Sequence, residues 1–166
     1  MKGTNTSNLA KGSIFIALTI IILYLGNLIT FNTLFLLGIS AALIPLCIIM
    51  CDVKTAVLVY AASTLLAYFI IPDKSIFLYY ALIFGPYGII KLLIEKRNNS
   101  VIEIILKLVY FNLAGFILFT IFKYMIFAEL PLNYPPALLL VIVNIAFFVF
   151  DYVLTVFVNF ATKRKL

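Results

Sequence analysis

Histidine is absent from this chain, cysteine occurs only twice, and 11% of the 166 residues carry charge. The lack of histidine and of a carboxylate cluster near Cys47 and Cys51, four apart in one apolar run, argues against a zinc site. A disulfide between consecutive turns of one helix has poor geometry, so both thiols read as small core- or lipid-facing residues. Also missing are paired carboxylates, a serine or cysteine beside a base, and a glycine loop able to cradle phosphate. These absences argue against an enzyme, leave no cofactor to expect, and exclude an ATPase activity of the chain's own.

What is present is apolar. Hydrophobic residues make up 66% of the chain, more than a soluble domain of this length could bury, so the solvent must be lipid. The net charge of +6 does not point to nucleic acid, because the cations sit at the ends of apolar runs rather than along one face. Lys2 and Lys11 precede an apolar run from Ser13 to Ile29. It is long for a signal-peptide core and lacks a clear cleavage site, so it reads as a retained first transmembrane helix.

Six such runs can be drawn, each able to cross roughly 30 Å of hydrocarbon at 1.5 Å per residue. The expectation is an all-α polytopic membrane protein: one transmembrane domain over residues 1–166, with helices at about 11–28, 33–51, 55–71, 75–96, 101–127 and 135–162. Pro72 stops the third run, and a proline opens the sixth, where its missing N–H costs nothing. With six crossings, one side receives Lys2, Lys11, Lys54, Lys91, Lys96, Arg97, Lys107, Lys163, Arg164 and Lys165, and the other only Lys74 and Lys123. That bias predicts a cell-membrane protein with both termini in the cytoplasm; five or seven crossings would destroy it.

Polar groups at membrane depth need a partner or a purpose. Asn144, Asp151, Thr155 and Asn159 are spaced seven, four and four, which places them on one helical face expected to point into the bundle. Asp151 stands about 16 Å from the end of its helix, too deep to snorkel. Lys91 and Lys107, in the same halves of the fourth and fifth runs, could reach it. The three form an expected intramembrane polar network, serving as a helix lock, a coupling group or a proton relay. Glu103 and Lys107 have the i,i+4 spacing and order that support a helix. Toward the other side lie Asn27, Asn32, Tyr68, Tyr79, Tyr80, Asn112, Asn144 and Tyr134. Singly they are interfacial anchors; together they would suit a pocket for a small, uncharged or weakly charged ligand.

The stretch Gly85-Pro86-Tyr87-Gly88 interrupts the fourth run. Pro86 lacks an N–H, so the Leu82 carbonyl loses its helical partner, while Gly85 and Gly88 let a neighbouring helix approach. Such a break must face protein or a water-filled cavity, so this face is expected to point inward, at the base of a cavity or as a packing kink. Pro45, after the small run Gly38 to Ala42, reads the same way. Ser13 and Ala17 form a small-x-x-x-small pair, a candidate contact face for a partner helix.

The length, the six runs and the stretch "LGISAALIPLCIIMCDVKTAVLVYAASTLLAYFIIPDK" resemble the substrate-binding S components of energy-coupling factor transporters. The resemblance lies in a mid-helix proline (Pro45), a tight turn and then a helix of small residues. It implies a vitamin-like micronutrient receptor that works with a coupling transmembrane subunit and ATPase subunits. Of the family's small-residue Ala-x-x-x-Ala docking patch on helix one, this chain has Ser13-x-x-x-Ala17, and the usual glycine near the 2–3 turn is absent. The rod-shape-determining membrane protein MreD shares this kind of fold without transporting, so a structural or assembly role is the alternative.

Overall fold

The computed structural model describes residues 2–95, 100–125 and 136–165. Its helices are α1 (Lys2–Leu28), α2 (Thr33–Met50), α3 (Val53–Ile70), α4 (Lys74–Glu95), α5 (Ser100–Met125) and α6 (Pro136–Lys165), with a 3-10 turn at Thr30–Asn32. No strand occurs among the described residues. All six helices are long and apolar enough to cross a membrane, and the chain is an all-α polytopic bundle. The end carrying the α1 N-terminus, the 2–3 turn and the α6 C-terminus is called the basic end below.

The helix limits follow from local chemistry. α1 starts at Lys2 rather than near Lys11, and its polar first turns are held where the Asn8 amide donates to Asp52 Oδ2 at 3.0 Å. Asp52 is also the N-cap of α3, accepting from the Thr55 N–H at 2.6 Å. At the opposite end Lys74 donates to the carbonyls of Tyr68 and Ile71, closing the C-terminus of α3. The expected limits at residues 96, 127 and 135 lie outside the described residues, as do Lys96, Arg97 and Tyr134.

Helices α1 to α4 form the packed part, with α2 touching α1, α3, α4 and α6. One cluster, of Leu23, Leu37, Ala67, Ile71, Ile76 and Tyr80, fills the end opposite the basic one. A second, of Phe15, Ile44, Cys47, Ala56 and Val59, fills the basic half. Only 17% of the α5 span and 11% of the α6 span are buried, against 28–33% for the others, so α5 and α6 lie at the periphery with apolar faces outward. In water that exposure would cost roughly 25 cal/mol per Å²; in lipid it costs nothing.

Candidate functional site: a charged lock and a tyrosine-braced helix break

Three helices each contribute an i,i+4 polar pair to one point in the basic half. α4 supplies Lys91 and Glu95, α5 supplies Glu103 and Lys107, and α6 supplies Asp151 and Thr155. The 3.6-residue period stacks each pair on one face, so the three faces converge. Lys91 Nζ lies 2.5 Å from Asp151 Oδ1, 2.6 Å from Glu95 and 2.7 Å from the Thr155 hydroxyl. Lys107 Nζ lies 2.7 Å from Glu103, 3.0 Å from Glu95 and 3.0 Å from Asp151 Oδ2. The Tyr87 hydroxyl donates to Asp151 Oδ1 at 2.6 Å.

Burial divides this network. The Lys91 and Lys107 side chains are 3% and 5% exposed and Asp151 16%, whereas Glu95 and Glu103 are about a third exposed. Two ammoniums thus face three carboxylates, a formal charge of −1 among the described residues. Each lysine touches at least two acids, which offsets the several kcal/mol needed to desolvate each ion. Among the described residues no three His, Cys, Asp or Glu side chains are grouped to hold a metal ion, for the lysines stand between the acids. Cross-linking of α4, α5 and α6 is what this arrangement does chemically.

One turn beyond Tyr87, the break in α4 takes a specific form. Residues Tyr80–Phe84 make a π turn in which the Gly85 N–H bonds to the Tyr80 carbonyl. Ala81 therefore loses the donor an α-helix would give it, and Leu82 loses its donor because Pro86 has no N–H. Both carbonyls are paired from other helices. The Tyr60 hydroxyl of α3 donates to Ala81 O at 2.8 Å, and the Tyr110 hydroxyl of α5 donates to Leu82 O at 2.7 Å. A Cβ on Gly85 would stand 2.7 Å from the Tyr60 ring, and one on Gly88 would stand 2.6 Å from Pro45 Cδ. The break faces protein, with the α2 proline seated on a glycine of α4.

Among the described residues, the inward face of that break is packed with side chains. Tyr80 and Tyr87 occupy the inward face and are fully buried. Tyr80 shares a 2.7 Å hydrogen bond with Ser63, and Tyr87 packs among Tyr110, Phe147 and Phe150. Aromatic side chains fill the space left by the kink.

The other sequence-derived positions do not converge. Asn27 accepts from the Asp73 N–H, Asn32 is exposed, and exposed Tyr68 lies under Lys74. Tyr79 packs on Phe122, while Asn112 and Asn144 pair with each other between α5 and α6 at 3.0 Å. Of the four polar positions on α6, Asp151 and Thr155 join the network, but Asn159 is exposed, because positions four apart drift around the helix by about 40° each step. Ser13 and Ala17 are exposed on α1, and Ser13 bonds back to Leu9 O. Cys47 is a buried free thiol. Tyr60, Ser63, Tyr87, Glu95 and Tyr110 belong to the site without having been singled out in the sequence. The signal for Tyr60 and Tyr110 was a mid-membrane hydroxyl without a partner in its own run. Toward the end opposite the basic one, a groove of about 350 Å³ between α3 and α4 is lined by Tyr60, Thr64, Tyr68 and Phe77.

Comparison with family models, curated proteins and solved structures finds no match for this chain.

Proposed function

We propose that this chain is a non-enzymatic structural or assembly subunit of the bacterial cell membrane, an S-component-like bundle with its basic end in the cytoplasm. The observation that carries this reading is the packed inward face of α4, where Tyr80, Tyr87 and Phe147 are buried against neighbouring helices. A scaffold requires a fixed shape and broad membrane-facing surface, and the lock with the exposed faces of α5 and α6 supplies both. The lysine and arginine distribution supports the orientation.

A second reading is favoured by the groove between α3 and α4. There the chain is the substrate-binding subunit of an energy-coupling-factor-type vitamin uptake transporter, taking its ligand at Tyr60, Tyr68 and Phe77. The lining is aromatic and uncharged, suited to an uncharged or weakly charged micronutrient, and Tyr60 links it to the α4 break. Mass spectrometry of small molecules released from the purified chain separates the two. The scaffold reading predicts no stoichiometric ligand across growth conditions. About one vitamin-like molecule per chain, lost in Tyr68→Ala, would overturn it in favour of the receptor.

A further inference from the structure

At the basic end, α1, α2 and α6 enclose a second groove, of about 460 Å³, distinct from the charged lock. Its wall is apolar, with Met50, Phe157 and Phe160 exposed and Leu46 half-buried behind them, and its rim carries Lys11 and Arg164. Neither cation lies within ion-pairing distance of a described carboxylate. At the same end Asp52, in the turn between α2 and α3, is held by Asn8 and Thr55, and Asp151 of α6 is held by Lys91 and Lys107. The Arg164 guanidinium stacks 4.8 Å over the Phe160 ring, which fixes it above the groove mouth while leaving its N–H groups free to bind.

We propose that this groove binds an anionic phospholipid, its acyl chain against Leu46, Met50, Phe157 and Phe160 and its phosphate between Lys11 and Arg164. The charge pattern selects the occupant. A partner helix would have to bring two acids to the interface to meet these cations, whereas a phosphodiester brings negative charge and apolar chain in one molecule. Basic pockets between transmembrane helices recognise anionic headgroups in this way. The proposal does not depend on whether the subunit is a scaffold or a receptor.

The test is native mass spectrometry of the full chain in detergent, offered equal phosphatidylglycerol and phosphatidylcholine. The expected result is one phosphatidylglycerol retained in preference. Lys11→Gln with Arg164→Gln should weaken that binding about thirty-fold, each surface cation contributing about five-fold. Lys54→Gln, which removes a cation at the same end but outside the groove, should leave it unchanged. Ala161→Trp, filling the groove without altering charge, should also displace the lipid. Equal retention of both lipids by the wild-type chain, or an equal loss in Lys54→Gln, would overturn the proposal.

Discussion

The charged lock makes an unequal prediction for its two ends. Asp151→Asn removes one of three acids and leaves Lys91 with Glu95 at 2.6 Å and Lys107 with Glu103 at 2.7 Å, two cations against two anions. The new amide oxygen can still accept from Tyr87 and Lys91, while its NH2 faces Lys107, which keeps Glu95 and Glu103. The loss is that of charge-assisted bonding, about 1.5–3 kcal/mol. Lys91→Met leaves one ammonium to serve three carboxylates, of which Asp151 is well buried, and leaves Asp151 Oδ1 with the Tyr87 hydroxyl as its remaining donor. Breaking a buried pair from that side costs about 3–5 kcal/mol. Reversible unfolding in mixed micelles, read as the free energy at a fixed denaturing-detergent fraction, compares the variants directly. Lys91→Met should be the worse by about 2 kcal/mol, by the same buried-pair scale. Equal losses, or a larger loss in Asp151→Asn, would refute the charge count on which the lock is built.

Further expectations follow from the α4 break and from the turns. Tyr110→Phe and Tyr60→Phe should each destabilise by about 0.6–1.7 kcal/mol in the same assay, since each strips a carbonyl of its donor. Gly88→Ala should cost about 1–2 kcal/mol, the overpacking on Pro45 outweighing the gain in helix propensity, while Gly115→Ala, which meets nothing within 4 Å, should be neutral or stabilising. The Thr55 N–H, then the Thr55 hydroxyl and Asn8, hold the Asp52 carboxyl below its ordinary value. A lowered folded value means that its contribution is present above the unfolded value and is lost as pH falls through the folded one. Acid titration of stability should therefore show wild type and Asp52→Asn parallel at neutral pH, and wild type falling more steeply below about pH 4.

How far the sequence could be read depended on whether a feature was local. Crossing lengths, the inward face of the break and the orphaned Leu82 carbonyl came from chain chemistry alone, and so did the reach of Lys91 and Lys107 to Asp151. The π turn was not legible, because whether Gly85 donates to Ala81 or to Tyr80 is decided by tertiary packing of Tyr60 against the glycine. With it went the second orphan, Ala81, and hence the reason for a tyrosine at position 60. The seating of Pro45 on Gly88 is a contact between distant segments that hydropathy cannot register. The polar residues away from the basic end gave the weakest guide. An asparagine in a membrane helix must find a partner, but Asn112 and Asn144 found each other rather than a shared pocket.

The arrangement of the whole chain rests on an even number of crossings, which places Lys54 and Lys163 on one side and Asp73 on the other. Single cysteines at these three positions, in a background with Cys47→Ala and Cys51→Ala, can be probed with a membrane-impermeant maleimide. Asp73→Cys should be labelled in intact cells, and Lys54→Cys and Lys163→Cys only once the membrane is opened. Labelling of Lys54→Cys and Lys163→Cys from opposite sides, or of Asp73→Cys from the same side as either, would contradict the account.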